Sequence, residues 1–249
     1  MKNSERKIRA VTFDAGGTLL FPSQPVGMIY AEVAASCGVT LDAGKLDAAF
    51  KSSFRAVPPV IHRGAGLTSS SKDWWRNLVR TVLFASGQFA RVGGEAGFET
   101  FFESVYGEFL KPARWHINEP LMQIVRDCRR AGIKTAVLSN WDERLRPILQ
   151  ATGLEPFFDC IIVSCEVGIE KPDTRIFAVA SERLGIPPAQ IAHVGDSQRE
   201  DCEGAAAAGM SAVLIAKDSF DPRKLRAILG LEGFGRPQNL TEENRIAQG

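Results

Sequence analysis

The sequence predicts an α/β fold: a Rossmann-like parallel sheet interrupted by an inserted, all-helical cap domain. Three observations predict it. An apolar run at residues 11 to 13, with Ile8 and Ala10 ahead of it, stops at Asp14 and a turn with two glycines, as a buried parallel strand does at a sheet edge. Residues from about 25 to 112 carry apolar positions at helical spacing and no strand pattern. After KPARWHINEP, helical segments alternate with short apolar runs, the signature of βαβ units.

The elements follow in order. Residues 11 to 13 form the first strand. The insert then holds four helices, marked by Met28, Ile29, Ala31, Val33 and Ala34, by Leu46, Ala49 and Phe50, by Trp74, Trp75, Leu78, Val79, Val82 and Leu83, and by Phe98, Phe101, Phe102, Val105 and Phe109. Between the second and third lies PPVIHRGAGLTSSSKD, a loop by its Pro, Gly and Ser content, in which Ser71 is placed to cap the next helix. Further strands are expected at 135 to 138, 160 to 163, 191 to 194 and 212 to 215, with helices near 118 to 131, 143 to 152, 173 to 185 and 199 to 208. Three of these strands end in polar clusters, Ser139-Asn140, Ser164-Cys165-Glu166 and Gly195-Asp196-Ser197, so polar groups converge on the edge where Asp14 sits. The expected division is a core of residues 1–20 and 114–230, a cap of 21–113 and a polar surface tail of 231–249.

At 249 residues, 45% hydrophobic and 24% charged, the chain has the composition of an ordinary globular protein. A formal net charge of +1 without runs of one sign argues against nucleic acid and anionic membranes and favours small-molecule partners. Cys37, Cys128, Cys160, Cys165 and Cys202 are odd in number and form no CxxC pair, which reads as reduced thiols. No apolar run approaches the ~20 residues of a membrane span, and MKNSERKIRA lacks the apolar stretch of a signal peptide, so a cytoplasmic location is expected.

FDAGGTL, VLSNWD, GIEKPD and HVGDSQREDCEGAAAAG resemble, in order and spacing, the four motifs of the haloacid-dehalogenase-like (HAD) superfamily, over nearly the whole chain. The helical insert resembles the C1 cap of subfamily I, and the tryptophan-bearing cap with GDS resembles the rhythmically-expressed-gene-like subgroup. The resemblance implies a Mg²⁺-dependent hydrolase, in most relatives a phosphatase of a small phosphorylated metabolite. Phosphoryl chemistry gives each motif residue a task. Asp14 is the candidate nucleophile, passing through an aspartyl-phosphate. Ser139 and the Asn140 amide can donate to phosphoryl oxygens, and Thr18 is a further substrate-binding candidate. Lys171 supplies a positive charge that also keeps Asp14 ionised. Asp14, the Gly16 carbonyl, Asp196 and Asp201 are the candidate Mg²⁺ ligands, Asp196 directly and Asp201 through water or by orienting Lys171.

The chain departs from the family pattern at Gly16, where phosphatases usually carry a second Asp as acid/base. That leaves three readings: a slow or selective phosphohydrolase, a phosphometabolite-binding protein without turnover, and a metal-independent haloacid dehalogenase, which Asp196 and Asp201 disfavour. A phosphonate-cleaving variant would need a cap lysine, and nothing marks out Lys45, Lys51 or Lys72. Of Trp74 and Trp75, at least one is expected in the cap core. His62 could substitute as an acid, Arg63 could reach a substrate anion, His193 reads as a satisfied core histidine, and His116 has no visible partner.

Overall fold

The computed structural model describes residues 8–56, 68–215 and 220–233, with the backbone alone at 68–70. His62, Arg63, most of the cap loop and the end of the polar tail lie outside these residues.

A five-stranded sheet forms the floor, in the order β5-β4-β1-β6-β7. Its strands are β1 (Ala10–Phe13), β4 (Lys134–Ser139), β5 (Cys160–Val163), β6 (Ile191–Gly195) and β7 (Ser211–Leu214). Every pairing is parallel; β1 lies between β4 and β6, with Phe13 opposite Val137 on one side and Val194 on the other. The chain runs outward from β1 in one direction and then returns to fill the other, so the strand order reverses around β1. Such a reversal opens a crevice at the carboxyl ends of the strands.

Helices α5 (Glu119–Arg130), α6 (Leu145–Ala151), α7 (Ser164–Val167), α8 (Thr174–Leu184), α9 (Gly204–Ala207) and α10 (Pro222–Ile228) flank the sheet. They complete two apolar layers, one built around Val11, Phe13 and Val137 and the other around Ala10, Leu138 and Phe177. Side-chain caps fix where several begin. Asn118 accepts from the Leu121 amide at α5, and Asp173 accepts from the Arg175 amide at α8. Leu231, the first residue of the expected tail, is fully buried in the first layer.

The inserted segment carries α1 (Val26–Ser36), α2 (Ala43–Ala56), α3 (Thr68–Ala85) and α4 (Gly94–Glu108). It has its own apolar centre, where Tyr30, Leu46, Leu78, Val82, Phe98 and Phe102 meet. Helix α3 starts at Thr68, so Ser71 lies inside its first turn and does not cap it. The insert joins the floor through an antiparallel ribbon of β2 (Leu20–Pro22) and β3 (Trp115–Ile117), in which exposed His116 pairs with Phe21. Among the described residues no helix is long and apolar enough to cross a membrane.

Candidate active site

Asp14 follows β1 directly, its amide donating to the Val194 carbonyl at 2.9 Å, which locks the end of β1 to β6. Asp14 is only 6% exposed. Its Oδ1 accepts from Ser139 Oγ at 2.9 Å and from Lys171 Nζ at 2.7 Å. Both donors sit on one oxygen, and no described residue donates to Oδ2, which leaves that oxygen for a substrate.

Lys171 is buried between two acids, with Nζ 2.7 Å from Asp14 and 2.5 Å from Asp201. Burial by itself works against the ammonium, but the two carboxylates outweigh it and hold the lysine above its usual range. Its backbone is fixed by Asn140, whose Oδ1 accepts from the Lys171 amide at 2.8 Å and whose Nδ2 donates to the Lys171 carbonyl at 2.9 Å. The Asn140 side chain is therefore spent on the lysine loop. Of the two groups Asn140 could offer a substrate, only its backbone amide stays a candidate.

Asp201 uses both oxygens. Oδ1 meets Lys171 and, at 2.9 Å, His193 Nε2; Oδ2 accepts from the Ser197 amide at 2.9 Å. Burial favours protonation of Asp201, but the His193 hydrogen bond and Lys171 prevail and keep it well below the carboxylate range. His193 is buried and its other nitrogen, Nδ1, lies 2.8 Å from Thr12 Oγ1. Burial holds this imidazole below its usual value, so it is neutral near pH 7. Since a carboxylate only accepts, Nε2 carries the proton towards Asp201 and Thr12 donates to Nδ1. His193 is thus a satisfied core histidine that braces Asp201.

Asp196 stands at the open end of β6. Burial, then Asp14 and Asp201, push its pKa up to about 6. Gly17 makes room for it. This residue has φ +79°, and a Cβ there would lie 2.4 Å from Asp196 Oδ2, so only glycine fits. A Cβ on Gly195 would likewise meet the Asp201 carboxylate at 2.2 Å. Thr18 is fully buried, is not on the cavity wall, and directs Oγ1 towards Asp196 Oδ1 at 3.5 Å. In this position Thr18 backs the acid.

Asp14, Asp196 and Asp201 offer oxygens within 4.8 Å of one another. Three carboxylates against the single Lys171 ammonium leave two negative charges uncompensated in a largely buried site. The donors are hard oxygens and the deficit is a double charge, so the residues fit a divalent cation such as Mg²⁺.

The site opens into a cavity of about 730 Å³ that continues between floor and cap. Gly16 lies on its wall under Trp141: a Cβ there would come 3.0 Å from Trp141 Cζ3. Trp141 in turn packs on Trp115, with ring centres 5.2 Å apart. Trp74 and Trp75 are both half-buried on the wall, in contact with each other and with Phe54. Lys45, Lys51 and Lys72 pair with Asp42, Asp47 and Glu103 and do not line the cavity.

Sequence reasoning overlooked Trp141, although it directly follows Ser139-Asn140, and Glu170, the neighbour of Lys171. Burial and then nearby Glu200 push Glu170 up to about 7. Tyr30, Phe102 and Tyr106 reach the cavity from cap helices and carry no local signal of it.

A family model described as haloacid dehalogenase-like hydrolase matches residues 8–209. The chain is 37% identical over 220 residues to a Bos taurus "Haloacid dehalogenase-like hydrolase domain-containing protein 3", covering 87% of this chain and 85% of that one. It is 28% identical over 222 residues to the "Rhythmically expressed gene 2 protein" of Drosophila melanogaster, covering 86% and 85%. A solved structure of a HAD phosphatase from Thermococcus onnurineus superposes with TM-score 0.60 at 24% identity, over 90% of this chain and 99% of that one.

Proposed function

The chain belongs to the haloacid dehalogenase-like hydrolase family, and from that premise we propose that it is a Mg²⁺-dependent phosphohydrolase of a small phosphorylated molecule, acting through Asp14. The observation that carries this reading is the asymmetric setting of Asp14, with Ser139 and Lys171 on Oδ1 and Oδ2 left to a substrate.

Asp14 Oδ2 attacks phosphorus and the bond to the leaving oxygen breaks, the electron pair departing with that oxygen. The leaving oxygen takes a proton from water, and the hydroxyl of that water cleaves the aspartyl-phosphate to regenerate Asp14 and release inorganic phosphate. Lys171 and Ser139 stabilise charge on the phosphoryl oxygens. Asp201, braced by His193, aims Lys171. Asp14, Asp196 and the Gly16 carbonyl would hold Mg²⁺, which would supply positive charge to the phosphoryl centre.

No side-chain acid stands at Gly16, and Trp141 occupies the neighbouring space. A positioned acid/base is worth ~10²–10⁴ in rate, so turnover depends on how little help the leaving group needs. That same observation favours, as a second reading, a binding protein without turnover. Multiple-turnover hydrolysis of p-nitrophenyl phosphate by wild type, with Mg²⁺ and with chelator and with Asp14→Asn as contamination control, separates the two. Turnover that needs both Mg²⁺ and Asp14 supports the hydrolase; none above the control overturns it.

A further inference from the structure

The cavity beyond the phosphoryl site has a distinctive wall. Tyr30, Phe50, Trp74, Phe102, Phe109 and Trp141 line it, with Val79 behind them. Together with the phosphoryl site it has a volume of about 730 Å³, within the usual range for small-molecule sites, ~300–1,000 Å³. It exceeds what a phosphoryl group or a three-carbon acid would fill.

Several polar groups on this wall are committed elsewhere. Arg144 places Nε and Nη2 on Asp142 at 2.9 and 2.6 Å and Nη1 on the Tyr106 carbonyl at 3.2 Å. Its guanidinium lies 3.7 Å from the Tyr106 ring centre, so its charge is paired and its face covered. The Tyr106 hydroxyl donates to Glu143 at 2.6 Å, and Trp115 Nε1 donates to the Phe109 carbonyl at 2.9 Å. A polyhydroxylated group beside Arg144, Tyr106 and Trp115 would be stripped of water and find few partners. At the phosphoryl end the wall carries Glu170 and Glu200 beside Arg199.

Ser71 differs from Arg144, Tyr106 and Trp115. It lies on the cavity wall, is 3% exposed, and its Oγ has no hydrogen-bond partner among the described residues. Glu143 Oε2, the other such atom, belongs to a residue that is not on the wall. A buried hydroxyl left unpaired beside an empty apolar space fits one polar atom of a ligand.

We infer that the cavity takes a small aryl phosphate monoester, its ring held between the aromatic side chains of floor and cap and a single polar ring substituent hydrogen-bonded to Ser71. This inference rests on the phosphohydrolase reading. Gly16 points the same way independently. A phenolate leaves with a conjugate-acid pKa of ~10, whereas an aliphatic alkoxide is about as basic as hydroxide from water, ~15.7. The aryl ester is the one that can be cleaved without a side-chain acid, because the ring retains the electron pair of the broken P–O bond until water protonates the oxygen.

The test is calorimetric titration of the full-length protein, with Mg²⁺, using phenylphosphonate, 4-hydroxyphenylphosphonate and 2-hydroxyethylphosphonate, none of which can be hydrolysed at the P–C bond. Phenylphosphonate should bind roughly tenfold or more tightly than the hydroxyethyl probe, the discrimination a modest apolar group commands, with a more negative heat-capacity change. Ser71→Ala should cost the hydroxyphenyl probe affinity and spare the phenyl probe. Val79→Phe, which fills the cavity, should abolish the phenyl advantage while hydroxyethyl binding, itself the check of folding, persists. Equal affinity of the phenyl and hydroxyethyl probes in the wild type overturns the inference, whatever the variants do. Absence of p-nitrophenyl phosphate turnover with the phenyl preference intact overturns the hydrolase reading alone, and failure to bind any probe overturns both.

Discussion

Gly16→Asp is the substitution that interrogates the chemistry most directly. Gly16 lies on the cavity wall, two residues after Asp14, so a carboxyl group there would stand beside the leaving oxygen. The gain available is that of a positioned acid, ~10²–10⁴ in rate, which is ~3–5 kcal/mol of barrier at about 1.4 kcal/mol per decade. Against it stands a steric cost. The new Cβ would meet Trp141 Cζ3 at 3.0 Å, and the half-buried Trp141 ring must yield by a few tenths of an ångström. Overpacking of this kind costs ~1–3 kcal/mol, with the lower end apt for a ring that is partly free. We therefore expect a small loss in thermal stability, and kcat/KM on an alkyl phosphate raised by about 10²-fold or more. With p-nitrophenyl phosphate, whose leaving group needs little protonation, kcat/KM should change by less than about threefold. Gly16→Asn, nearly isosteric but unable to give a proton, should leave both substrates slow. Phosphate release with Mg²⁺ measures all of these. The reasoning is refuted if Gly16→Asp accelerates alkyl and aryl esters equally, if Gly16→Asn reproduces the effect, or if neither variant responds.

Three further outcomes are expected. Lys171→Met strands Asp14 and Asp201 without their cation, and breaking such a pair costs ~3–5 kcal/mol near neutrality. The depressed Asp201 contributes stability above the unfolded carboxylate pKa of ~3.9 and loses it as the pH falls through the lower folded value, so the gap between variant and wild type should narrow below about pH 4; chemical denaturation showing a gap independent of pH would point to packing alone. Mg²⁺ at about 100 times its Kd should stabilise the wild type by ~2.7 kcal/mol and raise its melting temperature, whereas Asp196→Asn should respond little; equal responses would remove Asp196 from the metal site. The cap should close on the floor when the phosphoryl site fills, so solution scattering should give a smaller radius of gyration with a phosphate mimic, and superimposable curves would refute closure.

The fold was legible because its signals are local. Strand 160 to 163 is a continuous apolar run that ends in polar residues, strand 191 to 195 is broken only by His193, and cap helices such as α4 place phenylalanines on one face at helical spacing. Asp14, Ser139 and Asp196 stand at strand ends, and a strand end can be read from a dozen residues. What stayed hidden depends on residues far apart in sequence. Nothing near Gly16 announces that Trp141 fills the adjoining space, nor anything near His193 that Thr12 and Asp201 use up both its nitrogens. Ser71 was misread because Ser and Thr suit a helix cap, yet the helix begins three residues earlier, at Thr68, and turns the hydroxyl inward. The direction of the Thr18 side chain, towards Asp196, is likewise absent from the motif, which gives a residue's order along the chain alone.

The ribbon of β2 and β3 has a consequence for how such a molecule can change over time. Its three residue pairs, Leu20 with Ile117, Phe21 with His116 and Pro22 with Trp115, bring the outgoing and returning chain side by side. Whatever is threaded between them begins and ends at one doorstep, so the length of the intervening segment places little entropic demand on the floor. A lid of different size or chemistry could be exchanged there while the catalytic edge stays as it is. Trp115 is one place where the two parts remain answerable to each other, since its ring touches Phe109 of the lid and Trp141 of the floor; Tyr106 of the lid, held by Arg144 and Glu143 of the floor, is another. A replacement lid would have to satisfy both.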